Sequence, residues 1–183
     1  ILRDRILASE FGAGAELDIY YAAFRIPDTL YNLLVLGAIS AGFIPVFLDC
    51  IHKSGKKECW KVVNSLVNLL LLALVIMSGV LIVITPQLIS WMTPGFLPQD
   101  METTVMLTRI MFLSPLLLGI SSILGGILQS FKQFFIYSLA PIFYNIGIII
   151  GALYLVPHFG LLGLSYGVVL GAFLHMLIQL PAV

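Results

Sequence analysis

Residues Leu66–Thr85 read LVNLLLLALVIMSGVLIVIT, twenty consecutive residues without a charge. A helix rises about 1.5 Å per residue, so this stretch covers about 30 Å, the thickness of a bilayer's hydrocarbon core. It is the clearest transmembrane helix in the chain, and the flanking sequence repeats its character. Across 183 residues the hydrophobic fraction is 60% and the charged fraction 10%, with a mean hydropathy of +1.09. Soluble domains carry about a quarter charged residues. So few charges cannot clothe a water-facing surface, and lipid must be the main solvent. The expected fold is therefore all-α, a polytopic transmembrane helical bundle.

Working outward from that segment, the chain divides into one partial span and five fuller ones. They cover about residues 1–11, 18–50, 60–84, 103–130, 134–156 and 161–180. Gly12 and Gly14 stop the first, Pro27 and Pro45 interrupt the second, and Pro115 lies inside the fourth. A loop carrying Pro86, Pro94, Gly95 and Pro98 is expected between the third and fourth. The sequence begins at Ile1 without a methionine, and its early charges Arg3, Asp4 and Arg5 exclude a signal-peptide pattern. A piece of a longer protein is expected.

Lys and Arg in short loops set orientation. Lys53, Lys56, Lys57 and Lys61 place the loop after the second span in the cytoplasm. The Pro86–Glu102 loop has Asp100 and Glu102 but no Lys or Arg, which suits the outside, and Lys132 returns the chain to the cytoplasm. The Gly12–Gly14 turn is then external. Lys+Arg number 9 and Asp+Glu 9, so no nucleic-acid footprint exists. Cys50 and Cys59, nine residues apart, match no metal or redox spacing and are expected as two unpaired cytoplasmic thiols. Gly163, Gly167 and Gly171 repeat every four residues, as do Gly147 and Gly151. Such faces let helix backbones approach closely in lipid.

The informative residues are charges near or inside spans, where ionisation costs several kcal/mol unless a partner or a wet cavity is at hand. Arg3 lies nine residues before Gly12, about 13 Å below the external turn. Asp18 and Arg25 are seven apart and share a helix face, while Arg25 and Asp28 are three apart and within pairing reach. Two readings stand. Thr29–Leu48 alone is long enough to cross the bilayer, leaving Asp18–Asp28 as a solvated extension. Yet Ile19–Phe24 and Ile26 are too apolar for full exposure, which favours a bent or tilted helix lining an internal cavity. Arg109, near the external end of the fourth span, is expected to snorkel. His175 reads as a packing or interfacial residue, and no metal, cofactor or enzyme motif is present.

The run Arg3-Asp4-Arg5-Ile6-Leu7-Ala8, then Phe11-Gly12-Ala13-Gly14, Asp18 and Ala23-Phe24-Arg25-Ile26-Pro27 resembles the MurJ (MviN) lipid II flippase family. The likeness continues through Gly37–Pro45, Pro94-Gly95-Phe96, Leu139-Ala140-Pro141 and Asn145. It implies the N-terminal lobe of a two-lobed exporter in the bacterial cytoplasmic membrane, from the end of helix 1 through helix 6, the C-terminal lobe being absent. It also implies alternating-access transfer of lipid II, an undecaprenyl-diphosphate-linked disaccharide-pentapeptide, to the outer leaflet during peptidoglycan synthesis. Arg3 and Arg25 resemble the family's basic cavity residues and Asp18 its cavity aspartate. Asp4 would orient Arg3, and Asp28 completes the expected substrate-binding set. Partners would be lipid II or a related polyprenyl-diphosphate glycolipid, membrane lipids and the other lobe; no cofactor is implied. Tyr31, Asn32 and Leu36 depart from the family, which often has a basic pair and a glutamate there. Alternatives are a flippase for another polyprenyl-linked oligosaccharide, or a non-transporting scaffold in envelope assembly.

Overall fold

The computed structural model describes residues 2–12, 14–36 and 44–182, with the side chains of 36, 44, 46, 48 and 51–58 left aside. The Gly37–Phe43 part of the family-like motif, the Leu36 side chain and the side chains of Lys53, Lys56 and Lys57 therefore lie outside the described residues. Everything regular among the described residues is helical. In chain order the helices are α1 (Leu2–Phe11), α2 (Ala15–Tyr31), α3 (Ile44–Met92), α4 (Pro98–Met111), α5 (Leu113–Ser130), α6 (Phe134–Ile150), α7 (Val156–Phe159) and α8 (Leu162–Leu177). Wider i→i+5 turns follow α2 at Asn32–Leu36 and α6 at Gly151–Leu155. Among the described residues, four stretches are long and apolar enough to cross a membrane: Cys59–Met92, Pro98–Ser130, Phe134–Phe159 and Leu162–Ala182.

Although α3 is helical from Ile44 to Met92, it is not one straight rod. The Cα atoms of Cys50 and Cys59 are 5.6 Å apart, where a straight helix would separate them by about 13.5 Å. The chain folds back between them, and the two cysteines form a disulfide. The expectation of two unpaired thiols is thus corrected. Spacing along the sequence missed the pair because the reversal, not the intervening length, brings the sulfurs together.

The loop between α3 and α4 is also shorter than expected. Helix α3 continues through Pro86 to Met92, and only residues 93–97 intervene before α4. Proline inside a helix deprives the carbonyl four residues earlier of its donor. Here that carbonyl belongs to Ile82, and Arg109 of α4 donates its Nε–H to it at 3.4 Å. A long side chain from the neighbouring helix thus offsets the cost of the internal proline. At the other end of the bundle α5 stops in a tight turn, with Lys132 at φ 60°. Gln133 N–H donates to Leu128 O at 2.8 Å and Lys132 N–H to Gln129 O at 3.0 Å, the paired bonds of a Schellman closure.

Packing follows the small-residue faces. Gly147 and Gly151 of α6 and its following turn lie against Gly171 and Gly167 of α8, so close that a Cβ on any of the four would meet facing backbone. Among the described residues, two buried clusters fill the bundle. Ile26, Leu30, Leu74, Phe112 and Ile123 join α2, α3 and α5, while Leu7, Tyr20, Leu107, Ile148 and Leu164 join α1, α2, α4, α6 and α8. Conversely, α3 turns Leu69, Val75, Val80 and Val83 outward, Val83 being 71% exposed. An outward apolar face of that extent is a lipid-facing one.

Candidate functional site

Helix α2 has two unlike faces. Leu17, Tyr20, Ala23, Ile26, Pro27 and Leu30 are buried in the bundle, whereas Asp18, Tyr21, Arg25 and Asn32 are exposed. Asp18, Arg25 and Asn32 are spaced by seven residues, two helical turns, so they form one stripe along the face opposite the packed one. The buried face packs α2 against the bundle, so its apolar residues are not freely exposed. Neither Asp18 nor Arg25 has a charged partner among the described residues.

Arg3 and Asp4 lie on α1, beside α2 and α6. The Asp4 carboxylate oxygen Oδ1 accepts from Arg3 Nη2 at 2.7 Å and from Nε at 2.9 Å. The arginine side chain is 28% exposed and the aspartate 48%. Arg3 borders a hollow of about 300 Å³ between α1 and α6, lined by Leu2, Pro141, Ile142, Asn145, Ile146 and Ile149. The phenols of Tyr20 and Tyr144 lie within electrostatic reach of its guanidinium. An arginine whose fork is engaged on one edge keeps its remaining N–H groups for a second oxyanion, such as a phosphate.

Asp28 does not pair with Arg25, correcting the expectation from their spacing. It accepts from Asn32 Nδ2 at 2.9 Å instead. Asn32 sits one turn further on, and its short amide reaches the carboxylate while the Arg25 side chain points outward. The second family departure is also engaged: Tyr31 Oη lies 2.9 Å from Ser122 Oγ on α5. So the five expected residues fall into an ion pair on α1, an exposed Asp18–Arg25 stripe on α2, and Asp28 with a neutral partner.

Sequence reasoning missed one polar cluster. Ser121 Oγ is 2.6 Å from His175 Nδ1 and accepts from Gln179 Nε2 at 2.7 Å. His175 thus packs in the bundle, and no group of three or more His, Cys, Asp or Glu that could hold a metal ion occurs among the described residues. The only sequence signal for this cluster was His175 and Gln179, one turn apart at the end of an apolar helix.

A family model described as "Lipid II flippase MurJ" matches residues 7–183. The chain belongs to the MurJ family. A Burkholderia cenocepacia relative named lipid II flippase MurJ is 29% identical over 99% of this chain and 36% of its own length. A Vibrio cholerae protein named probable lipid II flippase MurJ is 30% identical, over 99% of this chain and 37% of its own length. A solved structure titled lipid II flippase MurJ, inward closed conformation, aligns with TM-score 0.83 at 25% identity, over 100% of this chain and 38% of that one. The chain therefore spans a little over a third of its MurJ relatives. With its apolar helices, membership makes it part of a multi-pass membrane protein of a transporter family.

Proposed function

We propose that the protein flips lipid II across the bacterial cytoplasmic membrane, from the inner to the outer leaflet, by alternating access, and that this chain forms most of its N-terminal lobe. The observation that carries the proposal is the polar stripe of α2. Charges turned away from a bundle toward lipid would cost several kcal/mol each. A stripe holding Asp18 and Arg25, opposite a fully packed face, therefore needs a polar neighbour, and a water-filled cavity shared with a second lobe supplies one. Arg25 would bind the diphosphate there. Arg3, oriented by Asp4, would add a second cation, and Asp18 would limit the net charge of the empty cavity. Asp28, already satisfied by Asn32, plays the lesser part. The Lys53–Lys61 segment faces the cytoplasm in this arrangement.

Depleting a host's own lipid II flippase and supplying the full-length protein tests the proposal. Wild type should restore growth, and Arg3→Ala and Arg25→Ala should fail at equal membrane abundance. Rescue by all three would remove the site assignment. Failure of well-inserted wild type would point to another polyprenyl-linked oligosaccharide or to a scaffold. Tyr31 and Asn32 favour that second reading, since both uncharged residues are committed to contacts within the lobe.

A further inference from the structure

On the α3–α4 side of the bundle, two adjoining hollows of about 460 Å³ and 370 Å³ meet at Arg109. The first, nearer the 93–97 loop, is walled by Pro86, Val105 and Met106 and carries Glu102. The second runs deeper, past Val75, Gly79 and Leu116, with Ser78 in its wall. The Ser78 hydroxyl is buried without a hydrogen-bond partner among the described residues. Glu102 and Arg109 are both exposed, and no ion pair involves either among the described residues. They are seven residues apart on one face of α4, which separates them by about 10.5 Å along the helix axis.

Charge order along the membrane normal identifies what this groove accepts. From the loop inward it offers a carboxylate, then a guanidinium, then an apolar trough. A zwitterionic aminophospholipid presents the complementary order: an outermost ammonium, a phosphate below it, and acyl chains beneath. Arg109 spends only its Nε–H on the Ile82 carbonyl, which fixes the side chain and leaves its terminal nitrogens for phosphate oxygens. Flexible side chains and headgroup close the remaining axial distance, as long charged side chains near span ends do. We propose that this groove is a binding site for a phosphatidylethanolamine-type lipid, in the outer leaflet if the 93–97 loop is external. Phosphate binds Arg109, the ammonium binds Glu102, and one acyl chain lies along α3 past Ser78. The site is remote in sequence from Arg3 and the α2 stripe, and it needs no lipid II.

Native mass spectrometry of the full-length protein, offered phosphatidylethanolamine or phosphatidylglycerol with matched chains, tests this without transport. Wild type should retain the ethanolamine lipid several-fold better. Arg109→Gln should weaken retention roughly tenfold or more, the scale of a charged hydrogen bond, while Arg109→Lys keeps part of it. Glu102→Gln should erase the preference between the two lipids yet leave binding of both. Unchanged retention in Arg109→Gln would reduce Arg109 to a snorkelling residue and overturn the proposal. So would a wild-type preference for phosphatidylglycerol. Glu102→Gln, whose altered side chain is exposed, should keep the wild-type melting temperature, whereas Arg109→Gln also loses the bond to the Ile82 carbonyl, so its lipid retention is read on protein shown to be folded.

Discussion

The hydroxyl of Tyr31 lies 2.9 Å from Ser122 Oγ, tying the end of α2 to the middle of α5. Through this bond the helix that carries Arg25 and Asp28 is anchored to the packed body of the lobe. Tyr31 is partly buried, so the bond forms where water competes little. Tyr31→Phe should lower stability by about 1 kcal/mol, the usual net worth of such a bond. Thermal unfolding of the full-length protein in detergent reads it; an unchanged or raised melting temperature would show that the bond contributes nothing.

Gly167 and Gly79 should respond oppositely to alanine. A Cβ at Gly167 meets the Gly151 backbone, and backbone cannot yield as a side-chain end would. Overpacking of that kind costs about 1–3 kcal/mol. A Cβ at Gly79 meets nothing within 4 Å, so Gly79→Ala gains helix propensity, up to about 1 kcal/mol. Paired melting curves should show one drop and one neutral or upward shift. Equal effects would contradict the α6–α8 packing.

Ser121 serves His175 and Gln179 at once; Ser121→Ala leaves Gln179 Nε2 its bond to the His175 carbonyl at 3.1 Å but strands His175 Nδ1 with only a 3.4 Å contact to Gln179 Nε2. A stranded buried group costs about 1–3 kcal/mol. Gln179→Leu should be milder, because the Gln179 carbonyl oxygen is buried without a partner among the described residues and disappears with the amide. Comparing the melting temperatures of the two variants decides the matter. The reverse ranking would mean that the histidine is held by something other than Ser121.

Thiol labelling checks the chain reversal in α3. Protein solubilised under non-reducing conditions should leave Cys50 and Cys59 unlabelled by a maleimide until reductant is added, and then take up two labels. Immediate labelling of both would place the pair in the reduced state, which the cytosol favours for thiols.

The helical fold was legible because lipid imposes it: Leu66–Thr85 is built to cross a bilayer, and the four-residue glycine spacing marked close-packing faces, which the structure pairs between α6 and α8. Charges were legible as outliers for the same reason, and Asp18 and Arg25 do share one face. Partners were not. Spacing pointed Asp28 to Arg25, but its partner is Asn32, because the choice depends on where each side chain points once α2 is packed. Ser121 meets His175 across 54 residues and Cys50 meets Cys59 across a fold-back; both contacts arise from tertiary structure that periodicity does not encode. Pro86 misled as a loop signal because its freed carbonyl is satisfied by Arg109, from a different helix.

The most direct test of the central claim is lipid II transfer between leaflets by the full-length protein in proteoliposomes, comparing wild type, Arg25→Lys and Arg25→Ala. The account predicts that the lysine variant, which keeps the cation, retains most of the transfer rate. The alanine variant should lose roughly ten- to hundredfold, as expected when a charged contact to phosphate is removed. An alanine variant that moves lipid II as fast as wild type would contradict it.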